Sequence, residues 1–180
     1  MENLAQDDII DLTLILHDAR WRKLIPDTEQ FARSVIVTTL TAISQRVPAA
    51  KADRLPEIAC LFTNDAEIRI LNRQFRGKDK TTNVLSFAAD RSAPAPDEQP
   101  VIIGDLILSV DTIEQEAADQ GKTFADHTTH MLVHGILHLF DYDHMHEPDA
   151  EDMENLERRI LQGLGVSDPY QDNAQKGTVA

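Results

Sequence analysis

Apolar and polar residues alternate at the start of IIDLTLIL (residues 9–16), which predicts a strand. Asp27 sits where a helix N-cap belongs, and FARSVIVTTLTAISQ continues at roughly helical spacing. VPAAKADRLP reads as a loop and EIACLFT (57–63) as a strand. Asp65 is placed to cap the helix AEIRILNRQFR, and Gly77 to stop it. TNVLSFA (82–88) reads as another strand, and the three prolines of ADRSAPAPDEQP predict a mobile loop. VIIGDLILSV is a strongly apolar strand interrupted by Gly104 and Asp105. Asp111 is then placed to cap DTIEQEAADQ, which Gly121 ends. A longer helix is predicted from about Thr123 to Phe140. DAEDMENLERRILQGLG gives a last, amphipathic one ending near Gly163 or Gly165.

Strands and helices are thus interspersed without strict alternation. This predicts an α+β fold: one domain over residues 1–170, with a mixed β-sheet packed with helices. The near-absence of apolar residues in QDNAQKGTVA predicts a disordered tail over 171–180. A chain of 180 residues suits one domain. At that size a core buries about 70% of the unfolded surface, so no staple is needed. Cys60 is the only cysteine, which excludes an intrachain disulfide and is best read as a small apolar strand residue. No segment approaches the ~18 apolar residues of a membrane helix, and MENLAQDD lacks the positive region of a secretory signal. A cytoplasmic location and no membrane partner are expected.

Charge sharpens the picture. The chain carries −14, which weakens non-specific attraction to polyanions. One segment departs from this. Between Arg69 and Lys80, five cations (Arg69, Arg73, Arg76, Lys78, Lys80) meet one acid, Asp79, for a net +4 that leaves −18 elsewhere. Such a run is either a solvated helix face or the local patch that a polyanionic substrate needs.

The chemistry lies in HGILHLFDYDH (134–144). His134 and His138 are four residues apart on a predicted helix, which stacks them on one face about 5–6 Å apart at Cβ. Two imidazoles so placed can close on one zinc at about 2.0–2.1 Å. His130 extends the same stripe, but from His130 to His138 is about 12 Å of helix axis. One ion does not comfortably take all three, so His127 and His130 are expected to orient ligands, or to lie in the core or at the surface. His144, beyond the helix end, is the better third ligand, with His146 as a possible substitute. Delivering His144 requires a sharp exit from the helix with φ > 0 at Asp141, where glycine is the usual residue. The 0, 4, 10 spacing matches a class of zinc proteases, H-E-x-x-H-x-x-G-x-x-H. Here Gly135 replaces the catalytic glutamate and Asp141 the turn glycine. Without that glutamate the protease's general base is missing. Three histidines leave a fourth position open, which favours a catalytic zinc over a structural one.

HGILHLFDYDH resembles the signature of the YbeY family of bacterial rRNA-processing metalloproteins. FRGKDKTTNVLSFA (75–88) and GDLILS (104–109) resemble that family's other two motifs, in the same order. The resemblance covers about residues 57–170. Thr81 and Ala88 stand where the family commonly has proline, and Asp141 where it commonly has glycine. The resemblance implies a metal-dependent hydrolase fold holding one Zn²⁺ by His134, His138 and His144. It also implies single-strand-specific endoribonuclease activity in 16S rRNA 3′-end maturation and ribosome quality control. The implied partners are precursor RNA, the small ribosomal subunit and a ribosomal protein. The family's functional arginine falls on Arg76, and Asp105 matches an aspartate linked to ribosomal-protein contact.

In this reading a guanidinium at Arg76 stabilises charge that builds on the phosphate, with Lys78 as a second cation. A helix C-terminus also favours a cation at Arg76 for its dipole alone. The acidic bulk predicts that ribosome association depends partly on protein contacts rather than on phosphate contacts alone. Two alternatives remain. One is a metal-dependent hydrolase of another substrate, such as a peptide or small molecule. The other is a non-enzymatic assembly factor whose zinc holds the fold.

Overall fold

The computed structural model describes residues 9–49, 55–92, 96, 99–142 and 147–171. The strands are β1 (Asp11–Leu16), β2 (Glu57–Thr63), β3 (Val84–Ala88) and β4 (Ile102–Ser109). They form one sheet in the order β1-β2-β4-β3. The first three run parallel, and β3 is antiparallel to β4 at an edge. The described helices are α1 (Arg20–Leu24), α2 (Thr28–Ala42), α3 (Asp65–Arg76), α4 (Val110–Asp119), α5 (Phe124–Leu139) and α6 (Glu147–Gly163). The architecture is the expected single-domain α+β fold with a mixed sheet.

One sheet face carries the main core. Leu106 and Leu108 of β4 and Phe62 of β2 pack with Ile36 and Leu40 of α2 and with Leu132, Ile136 and Leu139 of α5, all fully buried. A bulge opposite Glu57/Ile58 adds a residue to β4, so Ile103 also turns into this core. The other face is smaller, with Ile68 of α3 closing on Leu85 and Ile107. Trp21 is fully buried edge-on to Phe62 and donates its indole N–H to the Thr63 carbonyl at 2.9 Å. Cys60 is buried on β2, and burial pushes its thiol up to about 12.

Two caps differ from expectation for one physical reason. Asn64, not Asp65, caps α3, its side chain accepting the Glu67 N–H. The Asp65 carboxylate instead accepts from the Ser109 and Thr112 hydroxyls, at 2.6 Å each. Asp111 does not cap α4, whose N-cap is Ser109. Its carboxylate reaches across to the Asp65 N–H at 2.9 Å and the Arg20 guanidinium. These acids tie the ends of β2, β4 and α1 together rather than capping their own helices. Asp27 holds the N-cap position of α2 as expected, without a side-chain cap bond. The short α1 and a 3-10 turn at Ser44–Arg46 were not expected from the pattern. Much of the proline-rich loop and nearly all of the predicted disordered tail lie outside the described residues. No described helix is long and apolar enough to cross a membrane.

Candidate metal centre

Helix α5 starts at Thr123, whose hydroxyl accepts the Asp126 N–H, and its apolar positions pack it flat on the sheet. His130, His134 and His138 form its less buried stripe. Close approach to the sheet explains the residue after His134. A Cβ on Gly135 would lie 2.8 Å from Leu106 and 3.3 Å from both Ser86 and Val84. The Ser86 hydroxyl donates to the Gly135 carbonyl at 3.2 Å. A glutamate there would be driven into β3 and β4, so this position supplies packing and not a general base.

The exit from α5 is the predicted one. Asp141 has φ 63°. Its N–H donates to the His138 carbonyl at 3.2 Å, and the Tyr142 N–H to the Leu137 carbonyl at 3.1 Å. This is a Schellman ending with aspartate in the glycine position. Two arginines support the turn. Arg91 donates to the Leu139 and Ile103 carbonyls and to the Asp141 carboxylate, each at 3.1 Å. Arg46 donates to the Phe140 carbonyl at 3.2 Å, its guanidinium 4.2 Å from the centre of the Tyr142 ring. The chain thus turns back directly after His138, as delivery of His144 requires. His144 itself, with Asp143 and His146, lies outside the described residues.

His134 and His138 point their Nε2 atoms at one another, 2.9 Å apart. His134 Nδ1 lies 2.6 Å from Glu157 Oε1. Glu157, on α6, is fully buried, and its other oxygen accepts from the Tyr170 hydroxyl. Burial alone would raise the Glu157 carboxyl. The His130 and His134 imidazoles and the Tyr170 hydroxyl outweigh it and hold the group at about 2. An ionised carboxylate only accepts, so His134 Nδ1 is the donor between these groups, and a neutral His134 then offers its Nε2 lone pair. Such a nitrogen, facing another imidazole, is the donor chemistry a zinc ion takes at about 2.0–2.1 Å.

The rim carries the cations. A cleft of about 630 Å³ is lined by Arg76, Lys78, Asn83, Ser86, His134 and His138, among others. Gly77 ends α3 at φ 68°, which places Arg76 at the open edge of β3. Its guanidinium donates to the Ser86 carbonyl at 2.6 Å and lies 5.3 Å from the centre of the Phe87 ring. Arg76 and Lys78 therefore share a cavity with the histidines from which about sixty residues of sequence separate them. Asp105 is exposed mid-strand on β4 beside Phe87 and is not among the cleft-lining residues.

His127 and His130 extend inward from the cleft. His127 is buried, with Nε2 2.7 Å from Glu116. Ring centres step 6.2 Å from His127 to His130 and 6.2 Å from His130 to His134. Ligand atoms of His130, His134 and Glu157 lie within 4.8 Å of one another, a second set able to hold an ion. It includes His130, expected only as an orienting, core or surface residue, and Glu157, which the sequence reading did not single out.

The chain is thus an α+β domain that sets a helix-borne histidine cluster able to hold a metal ion beside a cation-rimmed cleft. The profile of the YbeY family, described as endoribonuclease YbeY, matches residues 19–165. The chain belongs to that family. It is 41% identical over 163 residues to the endoribonuclease YbeY of Paramagnetospirillum magneticum, covering 89% of this chain and 96% of that one. It is 54% identical over 114 residues to that of Allorhizobium ampelinum, covering 63% and 68%. A solution structure from Thermotoga maritima has the same fold at TM-score 0.55 and 16% identity, covering 93% of this chain and 94% of that one.

Proposed function

We propose that this chain is a zinc-dependent, single-strand-specific endoribonuclease. We place it in the cytoplasm on the small ribosomal subunit, acting in 16S rRNA 3′-end maturation and ribosome quality control. The observation that carries the reading is the shared cleft: the His134–His138 pair lines one cavity with Arg76 and Lys78. One Zn²⁺ held by His134, His138 and His144 would supply Lewis-acid polarisation of a phosphate oxygen and a lowered pKa for water.

The remaining work falls to the chain's own groups. Arg76 is anchored on the Ser86 carbonyl by one guanidinium nitrogen, which leaves further N–H groups for the phosphate. A guanidinium so preorganised stabilises the charge that builds in the transition state. Lys78 adds a point charge at the same rim. Phe75 is 61% exposed, with its ring centre 5.6 Å from that of Phe87 beside Arg76. Unpaired bases can stack on such a face where a duplex cannot, which supports the single-strand preference. The exposed, uncrowded Asp105 supports a role in contact with a ribosomal protein.

The test is cleavage of single-stranded RNA by the purified chain, with and without chelator, beside Arg76→Ala and His134→Ala. Chelation and His134→Ala should abolish cutting. Arg76→Ala should slow it by about 10²–10³-fold with zinc content unchanged. Cutting that survives both substitutions would sink the enzymatic reading, and peptide cleavage without RNA cleavage would replace it.

A further inference from the structure

We propose that Glu157, braced by Tyr170, is the positioning residue that holds His134 in the tautomer with its Nε2 lone pair turned into the cleft. The inference rests on the reading of His134 as a metal ligand and names the group that prepares it. Three observations carry it. Glu157 is fully buried, yet it stands on an otherwise amphipathic helix where an apolar residue would pack. Its two oxygens are divided: Oε1 lies on His134 Nδ1 at 2.6 Å, and Oε2 takes the Tyr170 hydroxyl. His130 closes the back, with Nε2 3.6 Å from Oε2.

A buried carboxylate adds little stability that a well-packed apolar side chain would not match. Its specific effect here is on the imidazole. With Nδ1–H committed to a carboxylate, the neutral ring carries its lone pair on Nε2, and the ring cannot rotate without breaking a short charge-assisted bond. Tyr170 acts one step further out: its hydroxyl holds Oε2, so Oε1 keeps its aim.

The same atoms admit a rival, an ion seated among His130, His134 and Glu157. The cavity decides between them. His134 and His138 line the cleft, whereas His130 and Glu157 do not. An ion in the rival seat would take two of its three ligands from outside the cleft that holds Arg76 and Lys78.

The experiment reads the tautomer directly. Long-range proton–nitrogen NMR of the metal-free protein reports which His134 nitrogen is protonated, and a competing chromophoric chelator reports zinc affinity. In the native chain Nδ1 should be the protonated nitrogen. Glu157→Leu should give mixed tautomers and about 10–100-fold weaker zinc binding. Glu157→Gln, whose amide oxygen still accepts from Nδ1–H, should restore the tautomer and most of the affinity. Tyr170→Phe should fall between the native chain and Glu157→Leu. If Glu157→Leu does not fold, the Gln and Phe variants carry the test through the same two readouts.

An unchanged tautomer and affinity in folded Glu157→Leu, or in Tyr170→Phe when that variant must stand in, would overturn the proposal. Loss of zinc stoichiometry in Glu157→Gln would also overturn it, by making the carboxylate a ligand. Full zinc binding by His134→Ala would instead defeat the ligand reading, while the metal-free tautomer result would stand on its own.

Discussion

Helix α5 carries two histidine–carboxylate pairs that differ in which ring nitrogen makes the bond. At its buried end His127 binds Glu116 through Nε2, the far nitrogen, at 2.7 Å. At its open end His134 binds Glu157 through Nδ1, the near nitrogen, at 2.6 Å. The consequence follows from ring geometry. A histidine tied by Nε2 spends its reach on its partner and keeps Nδ1 against its own helix, where His127 Nδ1 is buried without a hydrogen-bond partner among the described residues. A histidine tied by Nδ1 presents Nε2 outward, here to His138 and the cleft. Residue type and pairing are the same, so the choice of nitrogen separates a core histidine from a candidate ligand.

The largest expected effect breaks the comparison at its open end. His134→Ala should reduce zinc affinity by more than about 100-fold, measured as metal content after gel filtration. His127→Ala should leave metal content unchanged and lower stability by about 1–3 kcal/mol, because a buried imidazole and its bond to Glu116 are lost. Urea denaturation of both variants checks this. Metal loss in His127→Ala equal to that in His134→Ala would erase the distinction.

Much of this arrangement is visible before any coordinates. Period-two and helical spacing place the four strands and most helices because each element has one buried face. The αL exit at Asp141 is legible because the tight spacing from His138 to His144 demands a turn. What is not legible depends on distant partners. Asp65 looks like an N-cap until Ser109 and Thr112, more than forty residues away, claim its carboxylate. Glu157 looks like one more acid in DAEDMENLER. Only the packing of α6 on α5 brings it to His134, and its place at the centre of an otherwise apolar helix face is the one sequence signal that could have found it.

A smaller effect concerns the turn on which the open end depends. Asp141 occupies the left-handed region at a cost that glycine avoids, roughly 1 kcal/mol. Its carboxylate is 77% exposed, so the ion pair with Arg91 contributes under about 1 kcal/mol. The Arg91 bonds to the Leu139 and Ile103 carbonyls matter more, since they satisfy backbone groups at the helix end. Asp141→Gly should therefore raise stability by up to about 1 kcal/mol. Arg91→Ala should cost about 1–2 kcal/mol, and less by about 0.5 kcal/mol in the glycine background. A double-mutant cycle by chemical denaturation measures all three. Equal Arg91→Ala costs in both backgrounds would show that Arg91 holds the backbone without regard to the residue at 141.

The smallest effect sharpens the comparison at the buried end. Burial lowers the pKa of His127 below the ordinary 6.5, and the opposing pull of Glu116 does not restore it. The folded chain then keeps His127 neutral where the unfolded chain has begun to protonate it. The unfolded state binds more protons, so stability rises with pH. The contribution is fully present above about 6.5 and is lost as pH falls from there through the lower folded value, with a limiting slope of about 1.4 kcal/mol per pH unit. His127→Gln keeps a side-chain N–H for Glu116 and removes the titration. Comparing the two chains isolates the residue at 127. Between pH 7.5 and 5.5 the native chain should therefore lose more stability than His127→Gln. Parallel stability curves over that range would mean that Glu116 charges His127 in the fold, making the pair an ion pair rather than a neutral core contact.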